Sequence, residues 1–263
     1  MELIAGLLLC TVVMALLWAW QRGSGRADWV DVAWAGLIGV LAAGYVLVGE
    51  GSPEKRILIV IVTGTWSFRL TRHLWVRLAG HETEDGRYQA LRQRWGRRQQ
   101  SGMFALFMAQ GLLAWVFALP AWVVAGDPSS QLNAWVLIGV SFWLVSFFGE
   151  ALADRQLEAF RRNPENRGKV CQTGLWRYSR HPNYFFEWLH WFAYPFIAAG
   201  APNQWLTWLG PVIMLAFVYR LTGIPHTEQQ ALKSRGAAYL KYQQTTSAFV
   251  PWPRRRDSVT DEH

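Results

Sequence analysis

The chain of 263 residues is 52% hydrophobic and 15% aromatic, with 17 tryptophans and only 17% charged residues, a balance outside that of soluble globular domains and suited to lipid as solvent. Its formal net charge of +8 does not point to nucleic acid, because the basic residues sit in short stretches between long apolar runs, where topology and anionic headgroups account for them. The two cysteines, Cys10 in an apolar run and Cys171 in a polar connection, fall on incompatible sides for a disulfide and lack metal-ligand spacing, so neither redox nor zinc chemistry is indicated.

A helix needs roughly 20 residues to cross a bilayer core, and apolar runs near that length fall at 3–20, 29–48, 57–76, 103–125, 132–152, 183–199 and 204–222. The expected fold is therefore all-α: a polytopic integral membrane protein of seven transmembrane helices. One membrane domain covers 1–253 and a disordered tail covers 254–263. The first run opens on Glu2 rather than a basic segment and lacks small residues before Cys10, which reads as a retained anchor rather than a cleaved signal. The sixth is interrupted by Glu187 and His190 and is the weakest span, tilted or partly re-entrant beside a cavity.

Arginine and lysine collect in alternate connections. Arg22 and Arg26 follow the first run, Arg87 to Arg98 the third, Arg155 to Arg180 the fifth, and Lys233, Arg235, Lys241 and Arg254 the seventh. The other connections are nearly bare, with Lys55 and Arg56 balanced by Glu50 and Glu54. The positive-inside rule then puts the N-terminus outside and the C-terminus in the cytoplasm, which an odd number of spans satisfies.

Polar residues inside apolar runs mark candidate sites, because they are costly in lipid. Asp28 is placed to cap the second helix; Asp31, three residues further in, either completes the cap or faces the bundle as a proton donor. On the third helix, Arg72 and His73 can snorkel to headgroups, whereas Arg69 lies deeper and calls for a partner. His81, Glu82, Glu84 and Asp85 imitate a metal site, but no histidine pair stands at i and i+4, so no metal is expected. Beyond the fifth run, Asp154, Arg155, Glu158, Arg161 and Arg162 recur at helical spacing. They form either a solvated face with salt bridges such as Glu158 to Arg162 or a set of guanidiniums for a phosphorylated ligand.

The densest motif runs from Gly174-Leu175-Trp176 through Ser179-Arg180-His181-Pro182-Asn183-Tyr184 to Phe185-Phe186-Glu187-Trp188. Pro182 suits the first turn of a helix, whose free amides make an anion-friendly end. Arg180 and His181 either add to that end or snorkel to headgroups. Asn183 and Glu187 share one face at i and i+4, with His190 close to that stripe and Trp191 completing the next step, so this face is expected to look into a protein cavity.

With the closing Tyr239-x-x-Tyr242 and Phe249-Val250-Pro251, these residues resemble the steroid 5α-reductase superfamily (3-oxo-5α-steroid 4-dehydrogenase-like). Asp31-Val32-Ala33-Trp34, the arginine-bearing third helix and Ser179 to Tyr184 are similar to its bacterial branch of uncharacterised membrane proteins. The resemblance implies seven membrane helices in the bacterial inner membrane and an NADPH-dependent oxidoreductase that transfers hydride to the conjugated C=C of a hydrophobic enone, 3-oxo-Δ4-steroid-like or another lipid. It implies that Asn183 and Glu187 hold the nicotinamide end and that Asp154 and Arg161 help bind the dinucleotide; with such a cofactor, Lys169, Arg180 and Arg220 are expected to join Arg161 in neutralising phosphate, and His181 and Tyr184 to complete the site. Asp31 is then the expected proton donor, with Arg69 as its charge partner. The second helix lacks the Gln-Glu pair, and the third the tyrosine, of the animal steroid reductases.

Arg180-His181-Pro182-Asn183-Tyr184 is also similar to membrane methyltransferases related to isoprenylcysteine carboxyl methyltransferase, which bind S-adenosylmethionine. Here His226-Thr227-Glu228 has a single glutamate in place of their adjacent acidic pair. A third reading, a non-enzymatic lipid-binding or transport protein, predicts no cofactor. The expected partners are a hydrophobic substrate and membrane lipids, and no nucleic acid.

Overall fold

Helix α1 (Glu2–Ser24) buries Gly6, Cys10, Met14 and Gln21 and turns Ile4, Leu8, Val12 and Leu16 outward, each more than half exposed. Residues four apart share a helix face, and an outward face of this composition is at home in hydrocarbon. The computed structural model describes residues 1–129, 133–221 and 223–255, and its named elements are all helices. Five stretches are long and apolar enough to cross a membrane: Glu2–Ser24, Trp29–Val48, Gly86–Ala125, Ala134–Arg162 and Gln204–Thr245. The protein is thus all-helical and membrane-embedded, with lipid against its apolar flanks.

Two of the seven expected spans are not among these five. The third run lies in α3 (Pro53–Ala79), which is long enough but carries Arg69, Arg72, His73 and Arg77 in its second half. The sixth breaks into α7 (Pro182–His190) and, after a turn at Trp191 and Phe192, α8 (Ala193–Ile197). The expected tail begins with Arg254 and Arg255, and the amide of Arg255 donates to the Thr245 carbonyl at 2.9 Å; residues 256–263 of that tail lie outside the described residues.

Internal contacts divide the chain into two compact units, residues 1–132 with 198–209 and residues 133–197 with 210–263. In the first, α2 (Trp29–Val48) packs on α3 and on α5 (Gln99–Ala125), and α1 packs on α5. Trp115 Nε1 ties α5 to the Leu3 carbonyl at 2.8 Å. At one end, Ser52 caps α3, and the fully buried Lys55 ammonium pairs with Asp127 and donates to Ser129 Oγ at 2.6 Å. At the other, polar connections close around α4 (Gly86–Trp95): Asp28 meets Arg26 Nε at 3.0 Å and accepts the Asp85 amide at 3.0 Å, and Arg92 Nε donates to Glu84 at 2.9 Å.

In the second unit, α6 (Ala134–Arg162) runs antiparallel to α7 and α8. Gly139 faces the Ala193 carbonyl and Ile197, Gly149 faces the ring of Phe186, and Gln156 Oε1 accepts the Leu175 amide at 2.8 Å. Position 174 needs glycine: its φ is +57°, and a Cβ there would stand 2.4 Å from the Gln156 side chain. After α9 (Leu209–Ala216) and a π-helical turn, α10 (Ile224–Thr245) buries Ala231, Tyr239 and Tyr242 against Val170 and Leu232.

Candidate functional site

The antiparallel register of α6 and α7 brings Asp154 to Asn183, whose Nδ2 stands 3.4 Å from Asp154 Oδ1. One turn along α7, Glu187 Oε1 accepts from Trp191 Nε1 at 3.2 Å, so the i and i+4 stripe predicted from the sequence is realised. The next polar pair on this stripe is His190 Nε2 with the Tyr194 hydroxyl at 3.0 Å, both residues buried. Tyr184 stacks on His181 with ring centres 5.3 Å apart and reaches the Thr227 hydroxyl at 3.2 Å. Asp154, Asn183, Tyr184 and Glu187 are all half-buried, open enough to meet a ligand.

Cations stand at the end of α6. Arg161 lies close enough to Asp154, Tyr184 and Arg235 for each to act on its charge. Arg235 donates from Nε to the carbonyl of Lys169 at 3.0 Å, which draws the backbone of that expected residue into the same corner. Two guanidiniums of like charge near enough to act on one another suit an anionic ligand. Arg235 was not among the expected residues; it follows the last apolar run, where topology alone explains a basic side chain.

Arg180 and His181 are placed differently. Arg180 Nε donates to Glu228 Oε1 at 2.6 Å, and its Nη1 donates to the carbonyls of Gln243 and Thr246 at 3.0 and 2.5 Å. His181 Nε2 stands 3.3 Å from the same Glu228 oxygen, while Gln243 Nε2 donates to the other at 2.8 Å. Burial by itself would raise the Glu228 carboxyl, but the bonds from His181 and Arg180 and the guanidinium charge outweigh it and hold it down at about 2. The Arg180 amide also donates to the Ser247 carbonyl at 2.8 Å, and Ser179 Oγ to that of Phe249 at 2.7 Å. The loop before α7 is thereby strapped to α10 and to the chain beyond it.

Arg220 lies exposed on the π-helical turn and makes no hydrogen bond or ion pair among the described residues. In the other unit, Asp31 accepts from Arg87 Nη2 at 2.9 Å and from the Tyr88 hydroxyl at 2.7 Å. The guanidinium that meets Asp31 is that of Arg87; Arg69 is half-buried on α3. Nor does Asp28 cap α2 with its side chain, because Arg26 and the Asp85 amide occupy it. Both aspartates anchor the connection that carries α4.

Glu150 is a residue that hydropathy hid. It is 8% exposed on the face of α6 that also buries Ser146 and Ala153, one turn before Asp154. A lone carboxylate in an apolar window still scores as a span; its signal was the i and i+4 spacing to Asp154. Among the described residues, no group of three or more histidines, cysteines or carboxylates is arranged to hold a metal.

Comparison with known proteins gives two matches. A family described as "Protein of unknown function (DUF1295)" matches residues 17–246. An uncharacterized protein of Schizosaccharomyces pombe is 27% identical over 281 residues, covering 94% of this chain and 79% of the yeast protein. No solved structure matches.

Proposed function

Because the chain belongs to the DUF1295 family, we propose from the chemistry of its α6–α7 face that it is a membrane reductase of the steroid 5α-reductase superfamily, using NADPH to reduce the conjugated C=C of a hydrophobic enone. The observation that carries this reading is the Asp154–Asn183 contact, with Glu187 one turn deeper and Arg161 beside Arg235 at the rim. This donor set fits the cofactor. A carboxamide needs an acceptor and an amide partner away from water, which Glu187 and Asn183 offer, and its phosphates need the guanidiniums.

When bound, NADPH supplies the hydride for the β-carbon of the enone. The chain's own part is positional: Glu187 accepts a carboxamide N–H, Asn183 is held against Asp154 so that its amide keeps one orientation, and Arg161 and Arg235 take phosphate charge. In this reading α3 and the α7–α8 segment join the five long helices to make seven spans. The arginine-rich connections then face the cytoplasm of a bacterial inner membrane.

One observation favours a second reading. Arg180 and His181 of the Arg-His-Pro-x-Tyr motif both reach Glu228, the acidic residue after the last apolar run, and an S-adenosylmethionine-dependent methyltransferase would use both elements. The two readings separate in detergent solution, because specific binding raises apparent stability by about 2.7 kcal/mol at a hundredfold excess over Kd. NADPH is expected to raise the Tm and Glu187→Ala to abolish that response. Stabilisation by S-adenosylmethionine alone overturns the reductase reading, and an undiminished NADPH response in Glu187→Ala removes that residue from the site.

A further inference from the structure

Beyond α10 the chain folds back on itself. The Trp252 amide donates to the Tyr178 carbonyl at 2.9 Å, Ser247 pairs with Ser179, and the Arg255 amide closes the strap onto the Thr245 carbonyl. Under this strap lies a cavity of about 300 Å³ whose wall includes Arg180, Gln243, Gln244, Thr246, Trp252 and Arg255.

The wall is rich in donors and holds no carboxylate. Glu228, the nearest acid to Arg180, has both oxygens engaged by Arg180, His181 and Gln243. An arginine carries five N–H donors. Arg180 donates from Nε and Nη1 to Glu228, Gln243 and Thr246 and also meets the Tyr239 hydroxyl, which leaves Nη2 at most one further donor, on a side chain only 10% exposed. The Thr246 hydroxyl is buried without a hydrogen-bond partner, and it can rotate to donate. The side chains of Gln244 and Arg255 make no hydrogen bond or ion pair among the described residues. A buried donor left unmatched, as the Thr246 hydroxyl is, is costly, and the exposed side chains of Gln244 and Arg255 line the same cavity.

We propose that this cavity is a binding site for a phosphate group, held by Arg180 and Arg255 with Thr246 and Gln244 as neutral donors. Guanidinium matches phosphate bidentately, and a tetrahedral oxyanion accepts from several directions at once. The group has two possible sources, a free phosphate compound or an anionic lipid headgroup. The site stands apart from the reductase reading: a failure of NADPH to bind leaves it untouched, and the reverse holds.

The test uses the full chain purified in detergent without phosphate buffer. Thermal stability is followed against inorganic phosphate, with sodium chloride at matched ionic strength, and against short-chain phosphatidylglycerol, with phosphatidylcholine as its control. Phosphate or phosphatidylglycerol is expected to raise the Tm above its control. Arg255→Gln, an exposed position with no role in folding the strap through its side chain, is expected to weaken the apparent affinity roughly tenfold, and Thr246→Val, which keeps shape and removes the hydroxyl, by a smaller factor. A response to inorganic phosphate assigns a free source; a response to phosphatidylglycerol alone assigns the lipid. No response above either control, or a response unchanged in both variants, overturns the proposal.

Discussion

Gly149 lies so close to Phe186 that a Cβ on the glycine would come within 2.4 Å of the ring. This contact sets the depth at which α6 meets α7, and from it follow the positions of Asp154 beside Asn183 and of Glu150 one turn below. The ring has little room to yield, since Phe185 packs edge-on against it at 5.3 Å.

Gly149→Ala is therefore expected to force the two helices apart, at about 1–3 kcal/mol for overpacking. The Tm should fall and the stabilisation by NADPH should weaken, because Asn183 loses Asp154. Adding Phe186→Leu to the same chain makes room for the new methyl and should recover part of both. A Gly149→Ala protein with unchanged Tm and unchanged NADPH response would show that this contact does not set the register.

The Lys55–Asp127 pair in the other unit is almost wholly buried, with side-chain exposures of 0% and 3%. Asp127→Ala strands an ammonium away from water and is expected to cost about 3–5 kcal/mol, whereas replacing both partners together by Lys55→Met and Asp127→Leu should cost much less. Burial raises the Asp127 carboxyl, but hydrogen bonds from Lys55 and Ser129 outweigh it and leave it below the usual carboxylate range. A depressed carboxylate stabilises the fold above its unfolded value and ceases to do so as pH falls through its folded value. The Tm difference between wild type and Asp127→Asn should accordingly be largest near neutrality and shrink in acid; a difference independent of pH contradicts the assignment.

Glu228 makes the same kind of statement for the strapped loop before α7. Its carboxyl is lowered from an ordinary value of 4.5 to about 2, so its contribution is complete above the ordinary value and is lost as pH falls from there toward the lowered one. Amide exchange at Arg180, whose N–H bonds to the Ser247 carbonyl, is expected to stay slow down to mildly acid pH. Glu228→Gln should speed it at neutral pH, since the carboxylate charge that meets Arg180 is lost and one of the two acceptor oxygens becomes an N–H donor. Equal exchange rates in the two proteins would remove Glu228 as the clamp of this loop.

Much of this protein is legible from local sequence. An apolar run of membrane length becomes a helix wherever it is placed, because its backbone has no other way to satisfy its hydrogen bonds in lipid. The same holds for Asn183 and Glu187, which share a face by helix geometry alone. Five runs combine the length and the hydropathy of a span, whereas α3 is long but charged and the sixth run is broken at the turn between α7 and α8.

What tertiary structure decided is which polar group meets which. Asn183 finds Asp154 across 29 residues, Arg180 finds Glu228 across 48, and Lys55 finds Asp127 across 72. Asp31, expected to pair with Arg69, is met by Arg87 and Tyr88 from a separate connection. Sequence spacing predicts neighbours only within a helix turn or two. Over longer separations a side chain's partner depends on how helices pack, and here close contacts such as Gly149 against Phe186 set that register.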